Sequence, residues 1–300
     1  MITDPPVTEC VTRYDKTRVA RQFGRAAESY ISYDRLQRQV AAVLIDKLLR
    51  QSGALLDIGC GPAHHAGVLQ RFTEHYIGVD LATAMLEQAQ RQQTAGHWVL
   101  ADMEQLPFVT ASVQTLFSNL AMQWANDLPA LLREWLRVLK PGGQLLASTV
   151  LPGSMWPLGQ CFEELDGERH HNQWPSYAVL KQALTELDSG LTLTEQKFVL
   201  SYDTVLQMLR ELKGIGANYT VRDSRGLYRR ERFEQLAETM ESYRTADGKL
   251  ALHWNIGLIS GFKSMSKIKH ELCFCDWNRY RRRQDAGDYS FAAAPGRWRI

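Results

Sequence analysis

The sequence of 300 residues is poor in the features that mark membrane and exported proteins. It contains no run of about 18 apolar residues, the length that a helix needs to span a bilayer. The start, MITDPPVTEC, has no basic region followed by an apolar run, so it does not resemble an export signal. The cysteines are few and odd in number, as expected of reduced thiols: Cys10, Cys60, Cys161, Cys273 and Cys275. We therefore expect a cytoplasmic protein without disulfides and without a membrane partner.

A large excess of charge of one sign is also missing. The chain has 35 basic and 33 acidic residues, a net charge of +2, which does not favour nucleic acid as a partner. Residues 263–300 hold nine Lys or Arg against four Asp or Glu, so residues 1–262 carry a net charge of −3. This basic tail has no apolar period, and we expect it to be disordered; an arm that binds a partner protein is the alternative. Its Cys273 and Cys275 are too close together and too isolated for a zinc site, so no metal is expected.

The apolar residues that are present recur with two different periods along the chain. Helical periodicity is found near the start, at 19–30 and 36–50. Short apolar runs then alternate with helical stretches, and we expect strands at 55–58, 76–79, 98–101, 115–118 and 144–150. This alternation is typical of βαβ units and predicts an α/β fold with a largely parallel sheet.

The second half of the sequence predicts a change of organisation. A helix at 129–139 ends where Pro141 cannot continue it and two glycines turn the chain. Later strands are expected only at 191–194 and 251–259, and helices are expected at 203–212 and 232–243. We therefore expect three parts: an N-terminal helical segment (1–50), a main domain (51–262) with a helical lid within about 153–247, and the basic tail (263–300).

The turn after the first predicted strand is rich in small residues. Asp57, Gly59 and Gly61 fall in the sequence LLDIGCGPA, where a strand is expected to lead into a helix. Glycines let a ligand approach the backbone, and a helix N-terminus attracts the polar groups of a nucleotide-type ligand. An NAD fingerprint would need a third glycine where this chain has His64. Taken alone, the loop also fits a tight turn in any doubly wound protein.

Two acidic residues end the next two predicted strands. Asp80 follows the glycines by about twenty residues, where a carboxylate accepts hydrogen bonds from ribose hydroxyls in either NAD or S-adenosylmethionine. From the end of the third strand, Asp102 can accept from an adenine amino group while Met103 packs on the ring. This second acid favours S-adenosylmethionine, although an ordinary helix cap remains the alternative for Asp102.

Three further segments carry a resemblance to a known family. They are FGRAAESY at 23–30, SNLAMQW at 118–124 and LKGIGAN at 212–218. With these segments, residues 15–261 resemble class I methyltransferases, and within them the malonyl-acyl-carrier-protein O-methyltransferases of biotin synthesis. The glycine loop departs from the family pattern at Ala63, where a third glycine is common.

The resemblance implies a fold and a cofactor. The fold would be a Rossmann-like class I methyltransferase sheet, mostly parallel with one antiparallel strand, plus a helical lid insertion. The cofactor would be S-adenosyl-L-methionine, with S-adenosyl-L-homocysteine as the product and no metal. The expected cofactor contacts are Phe23, Asp57, Gly59, Cys60, Gly61, Asp80, Leu81, Met85, Asp102, Met103 and Asn119.

The resemblance also implies a reaction, namely methylation of the free carboxylate of a malonyl thioester on acyl-carrier protein or coenzyme A. A carboxylate is already ionised at neutral pH, so the reaction needs no general base. Catalysis would then depend on positioning the carboxylate and excluding water. Cys60, His64 and His65 are accordingly expected to serve loop packing and solvation.

The second carboxylate oxygen needs an anchor, and we expect it from the N-terminal helices or the lid. Three residues are candidates, each with a structural alternative. Tyr30 could be a core aromatic, Lys213 a solvated helix-end charge and Arg222 a surface residue. The basic run from Arg222 to Arg232 would either attract the acidic carrier protein or be solvated surface.

Other functions remain open at the level of sequence, because cofactor motifs do not identify the acceptor. One alternative is a C- or O-methyltransferase of a quinone or another small molecule on the same fold. Another is a protein that binds S-adenosylmethionine without catalysis. An NAD dehydrogenase is disfavoured by His64 and Asp102.

Overall fold

The computed structural model describes residues 13–92, 95–167, 170–187, 189–216 and 230–265. The helices are α1 (Lys16–Ala26), α2 (Tyr30–Tyr33), α3 (Arg35–Ile45), α4 (Ala66–Leu69), α5 (Thr83–Gln92), α6 (Leu128–Val138), α7 (Leu158–Asp166), α8 (Tyr177–Glu186), α9 (Val205–Gly214) and α10 (Arg230–Glu241). The strands are β1 (Ala54–Ile58), β2 (His75–Asp80), β3 (His97–Leu100), β4 (Val113–Ser118), β5 (Leu139–Val150), β6 (Leu191–Tyr202) and β7 (Leu250–Phe262). Among these helices none combines the length and the apolar character needed to cross a bilayer.

In this part of the chain, seven strands form one sheet in the order β3-β2-β1-β4-β5-β7-β6. The first five are parallel, and β7 is antiparallel to both of its neighbours, β5 and β6. The predicted α/β sheet, mostly parallel with one antiparallel strand, is confirmed. The strand order reverses at β1, which pairs with β2 on one side and β4 on the other. Sheets of this kind bind ligands beyond the carboxyl ends of the strands at such a reversal.

Helices cover the two faces of the sheet, which explains the continuous apolar runs of the parallel strands. All five residues of β1 are buried, as expected of a strand that packs on both faces. Leu55 shares a core cluster with Val40 and Leu44 of α3, whereas Leu56 shares another with Leu132 of α6. Successive side chains of a strand point to opposite faces, so the two clusters are separated by the sheet.

The late strands are longer than the sequence indicates. β6 continues to Tyr202 rather than ending at 194, and it pairs with β7 over its whole length. Its middle section, from Glu195 to Lys197, is polar and exposed, so the apolar signal stops although the strand does not. The region predicted as a lid holds α7 and α8 before β6, and α9 and α10 after it.

The N-terminal helical segment is divided where one helix is predicted over 19–30. α1 ends at Ala26 and α2 begins at Tyr30. The intervening turn brings the Ser29 hydroxyl to the Gly214 carbonyl oxygen, to which it donates at 3.0 Å. A Cβ on Gly214 would overlap the Tyr33 ring. The glycine therefore allows α9 to approach the N-terminal helices closely.

Candidate active site

A cavity of about 690 Å³, measured to its open mouth, lies at the carboxyl ends of the first four strands. The cavity is surrounded by the N-terminal helices, the glycine loop, the ends of β2 and β3, and the loop after β4. The lining residues are Lys16, Val19, Phe23, Tyr30, Ile58, Gly59, Gly61, Val79, Asp80, Leu81, Met85, Ala101, Asp102, Met103, Asn119, Leu120, Ala121 and Trp124.

The glycine loop forms the floor of the cavity and depends on left-handed backbone at two positions. Gly59 and Gly61 have φ angles of 70° and 55°, a region that residues with a Cβ rarely adopt. A Cβ on Gly59 would overlap the Cβ of Ala121 in the loop after β4. A Cβ on Gly61 would have no protein atom within 4 Å. The backbone at Gly61 is therefore open to a ligand.

Asp80 holds the glycine loop against the start of α5. One carboxylate oxygen accepts from the Gly61 amide at 2.9 Å, and the other accepts from the Ala82 amide at 2.8 Å. Burial raises the pKa of the Asp80 carboxyl, and the amide donors partly oppose this shift. Each oxygen has lone pairs left for a ligand hydroxyl.

Asp102 is joined to α1 by an ion pair. Its Oδ1 accepts from Lys16 Nζ at 3.2 Å and from the Glu104 amide at 3.0 Å, so it also caps its own turn. Lys16 contacts the Glu104 carboxylate as well, and donates to the Trp124 carbonyl at 3.4 Å. Oδ2 of Asp102 accepts no hydrogen bond from the described part of the chain and is available to an adenine amino group.

The loop after β4 is held by a buried hydroxyl of β5. Ser148 Oγ donates to Asn119 Oδ1 at 2.9 Å and accepts from the Leu120 amide at the same distance. Leu120 has a φ angle of 51°, so this contact secures an uncommon backbone conformation. Asn119 Nδ2 donates to the Gln37 carbonyl at 2.9 Å. The side-chain amide of Asn119 therefore orders the wall of the cavity.

Tyr30 lines the cavity, and its phenol is buried near two carboxylates. Burial raises the pKa of this phenol, and the nearby Asp34 and Asp80 carboxylates raise it further. The hydroxyl therefore keeps its proton at neutral pH. A protonated phenol can donate a hydrogen bond to an anionic acceptor.

Two of the predicted cofactor residues lie behind the lining rather than in it. Asp57 is buried and accepts from the Tyr76 hydroxyl at 2.7 Å. Burial raises the pKa of Asp57 to about 7, with a further contribution from Asp80. Cys60 is also packed under the loop, where burial raises the pKa of its thiol, so it is not a thiolate. Both residues support the loop in this structure.

The two histidines that follow the glycine loop, His64 and His65, also lie outside the cavity lining. His64 Nδ1 lies 3.2 Å from the buried carboxylate of Asp34, which also pairs with Arg38 Nε at 2.7 Å. Burial lowers the pKa of His65 to about 4, so its imidazole is neutral at pH 7.

Comparison with known proteins decides the family. Residues 56–147 match a family model described as a methyltransferase domain. A malonyl-[acyl-carrier protein] O-methyltransferase of Yersinia pestis is 36% identical over 249 residues, which span 82% of this chain and 91% of that protein. The chain belongs to this family of malonyl-[acyl-carrier protein] O-methyltransferases. The predictions of a methyltransferase enzyme and of the family are therefore confirmed.

The chain is also similar to a second sequence relative and to a solved structure. A protein of Saccharophagus degradans named biotin biosynthesis bifunctional protein BioHC is 34% identical over 255 residues, which cover 81% of this chain and 46% of that protein. The crystal structure of the YcgJ protein from Bacillus subtilis superposes with a TM-score of 0.54 at 18% identity, covering 76% of this chain and all of that one. The latter similarity concerns the fold alone.

The structure brings most of the predicted site residues of this family member together. Phe23, Tyr30, Gly59, Gly61, Asp80, Leu81, Met85, Asp102, Met103 and Asn119 line the cavity. Lys213, by contrast, is exposed at the end of α9 and is not part of the lining. Its position gives no support to a role as anchor. Arg222, Arg225 and Arg229 lie outside the described residues.

Sequence reasoning missed Lys16, Val19 and Trp124 as part of the site. The ring of Trp124 lies 5.2 Å from those of Tyr14 and Phe23, edge to face in both cases, and Phe23 and Trp124 line the cavity together with Met103 and Asp102. A signal for Trp124 was present, because it ends the segment SNLAMQW. Lys16 had no such signal.

Proposed function

We propose that the cavity binds S-adenosyl-L-methionine. Gly61 offers open backbone to it, Asp80 accepts from its ribose hydroxyls, and Asp102 with Met103 holds its adenine. When bound, this cofactor supplies an electrophilic methyl group on a sulfonium. No metal takes part in the proposed reaction.

The methyl acceptor is the free carboxylate of a malonyl thioester carried by acyl-carrier protein, and the product is its methyl ester. The name and extent of the Yersinia pestis relative support this acceptor, since the similarity spans 91% of that protein. The second relative, named for biotin biosynthesis, supports a place in that pathway. Esterification replaces a charged end with a neutral one, which a fatty-acid enzyme can then accept as a primer.

The titratable side chains that line the cavity are consistent with an acceptor that needs no base. They are Lys16, Tyr30, Asp80 and Asp102, without histidine or cysteine among the described lining residues. A malonyl carboxylate is ionised at neutral pH and is itself the nucleophile. An amine or carbon acceptor would instead lose a proton during the reaction and would need a group to take it.

Tyr30 is the anchor for the carboxylate oxygen that is not methylated. Its side chain lines the cavity, and its hydroxyl stays protonated at neutral pH. A hydrogen bond from it would fix the carboxylate and leave the second oxygen to attack the methyl carbon. Phe23 and Trp124 enclose the cavity with apolar surface, which keeps water from competing as a nucleophile.

Growth of a biotin auxotroph that lacks the malonyl-carrier methylation step tests this function. The wild-type chain should restore growth without biotin, and Asp80→Ala should not, because the glycine loop loses its clamp. Arg71→Glu, which changes an exposed residue before β2, is the control and should restore growth.

The proposal fails if the soluble wild-type chain does not restore growth. In that case, methylation of a quinone or another small molecule by the same purified protein would identify the acceptor class instead.

A further inference from the structure

The most basic helix in the described part of the chain is α1, which covers the cavity. It contains Lys16, Arg18, Arg21 and Arg25 and no acidic residue. The other helices of similar length hold mixed charges or a net charge of at most +2. The positive charge of α1 is therefore a local feature in a chain whose first 262 residues are net negative.

The two faces of α1 have different roles. Lys16, Val19 and Phe23 line the cavity. Arg18, Arg21 and Arg25 follow one another at spacings of three and four residues, which places them on one side of the helix. All three are exposed. We call this arginine row the basic face of α1, and it lies on the side opposite the cavity.

Several contacts fix α1, and with it the basic face, relative to the cavity. The backbone of Tyr14, just before α1, exchanges two hydrogen bonds with the side chain of Asn126, at 2.6 and 3.1 Å. Lys16 pairs with Asp102 and Glu104. A Cβ added to Gly24 would lie 3.6 Å from the Cβ of Ala84, so α1 packs closely on α5. A partner held on the basic face would therefore be separated from the cavity only by α1, in a fixed orientation.

Two arginines of the lid, Arg230 and Arg232, have a carboxylate at ion-pair distance. Arg230 Nε pairs with Glu234 at 2.8 Å, and Arg232 lies 3.7 Å from Asp166. Within the described residues, neither Arg21 nor Arg25 has a carboxylate at ion-pair distance. These two side chains keep their positive charge available to a partner from solution.

We propose that the basic face of α1 is the docking surface for the acidic acyl-carrier protein that delivers the malonyl group. This inference rests on the proposed function. An acidic helix of the carrier contacts Arg18, Arg21 and Arg25, and the flexible arm that holds the thioester passes over the edge of α1 into the cavity. Charge complementarity of this kind chiefly raises the association rate and depends on salt.

The test compares two acceptors and two charge reversals. The acceptors are malonyl-carrier protein and malonyl-pantetheine, which has the thioester arm but no acidic protein surface. The variant is Arg21→Glu with Arg25→Glu. The control is Arg50→Glu with Arg71→Glu, two exposed positions that precede β1 and β2, at the amino ends of these strands and away from the cavity at their carboxyl ends. Both pairs change the net charge equally.

The docking proposal predicts a selective effect. At low salt, the Arg21/Arg25 variant should raise KM for malonyl-carrier protein about 10-fold or more. Its KM for malonyl-pantetheine and for the cofactor should match wild type, which also shows that the variant is folded. The control pair should leave all three KM values near those of wild type. Added salt should raise the wild-type KM for malonyl-carrier protein and so reduce the difference between the KM values of wild type and variant.

Three results would overturn the proposal. If the two charge reversals change KM for malonyl-carrier protein equally, the basic face of α1 is not the docking surface, but the proposed function is unaffected. Binding of the wild type to anionic lipid vesicles, lost in the Arg21/Arg25 variant while carrier kinetics are unchanged, would assign the face to a membrane. Failure of the wild type to methylate either acceptor would overturn the proposed function and the docking together.

Discussion

Gly59 shows how one residue without a side chain fits two loops together. Replacement by alanine would combine a left-handed backbone with an overlap against Ala121. We expect Gly59→Ala to lower the free energy of unfolding by about 2–4 kcal/mol. Gly67→Ala is the control, because this helical glycine has no atom within 4 Å of an added Cβ, and it should be neutral or stabilising by up to about 1 kcal/mol. Urea denaturation measures both, and equal losses would contradict the account.

Ser148 is predicted to act through the loop that it holds. Ser148→Ala removes a donor to Asn119 and leaves the Leu120 amide without its acceptor. We expect binding of S-adenosylhomocysteine to weaken about 10-fold, consistent with a cost of about 1–3 kcal/mol for an unsatisfied group. Calorimetric titration gives this affinity.

The next residue provides a matched control for Ser148. Thr149 is equally buried, and its hydroxyl has no hydrogen-bond partner in the described residues. Thr149→Val should keep wild-type affinity, because it removes no hydrogen bond and retains the shape. Similar affinities of the two variants would show that Ser148 merely fills space.

Asp57 should make stability fall as the pH rises. Its pKa is raised to about 7 in the folded protein, whereas an unfolded aspartate titrates near 4. Below about pH 4 both states are protonated and the folded state bears no cost. Between about pH 4 and 7 the unfolded state ionises first, so folding stability is lost across this window.

The measurement is the unfolding free energy at pH 5 and pH 8 for wild type and Asp57→Asn, which retains an oxygen acceptor for Tyr76. Wild type should lose about 2–3 kcal/mol more than the variant over this interval. Parallel changes in the two proteins would contradict the assignment of a raised pKa to Asp57.

At this scale the sequence predicted the residues whose signal is local. Gly59, Gly61, Asp80 and Asp102 stand at strand ends with recognisable spacing, and all four line the cavity. Lys16 could not be predicted in the same way, because its partner Asp102 is 86 positions away in the chain. Only the packing of α1 over the sheet brings the two together.

Among the elements, α1 should control how long the cofactor stays bound. Lys16→Met keeps the apolar stem over the cavity but leaves Asp102 and Glu104 without their ammonium partner. We expect S-adenosylhomocysteine to dissociate about 10-fold faster, with a stability loss of about 1 kcal/mol. Stopped-flow displacement measures the dissociation rate.

The control for Lys16 is an ion pair that lies on the surface. Arg230 and Glu234 are both largely exposed on α10, where such pairs contribute little. Arg230→Met should therefore leave dissociation at the wild-type rate. Equal rates for all three proteins would show that the Lys16 ion pair does not hold α1 in place.

Prediction of the elements succeeded where a strand is continuously buried and failed where exposed polar residues interrupt its apolar pattern. β1 was predicted almost to its ends because all of its residues are buried. β6 was predicted short because its exposed residues from Glu195 to Lys197 conceal the strand. The break between α1 and α2 was missed; the turn between them contacts Gly214 of a distant helix, and such a contact leaves no local signal in the sequence.

For the whole molecule, the order of the strands decides where chemistry takes place. β1 lies between β2 and β4, so the ends of these strands surround one cavity with the glycine loop at its floor. The alternation of strands and helices in the sequence predicted this sheet, and the family confirmed the enzyme class. The acceptor is not specified by the cofactor motifs, because the same sheet supports many acceptors.

The most direct test of the proposed reaction is mass spectrometry of carrier protein after incubation with the enzyme and S-adenosylmethionine. Malonyl-carrier protein should gain the mass of one methylene, as conversion of its free carboxylate to a methyl ester requires. Acetyl-carrier protein, which has no free carboxylate, should stay unchanged. Unmodified malonyl-carrier protein, or equal modification of the acetyl form, would contradict methylation of the malonyl carboxylate.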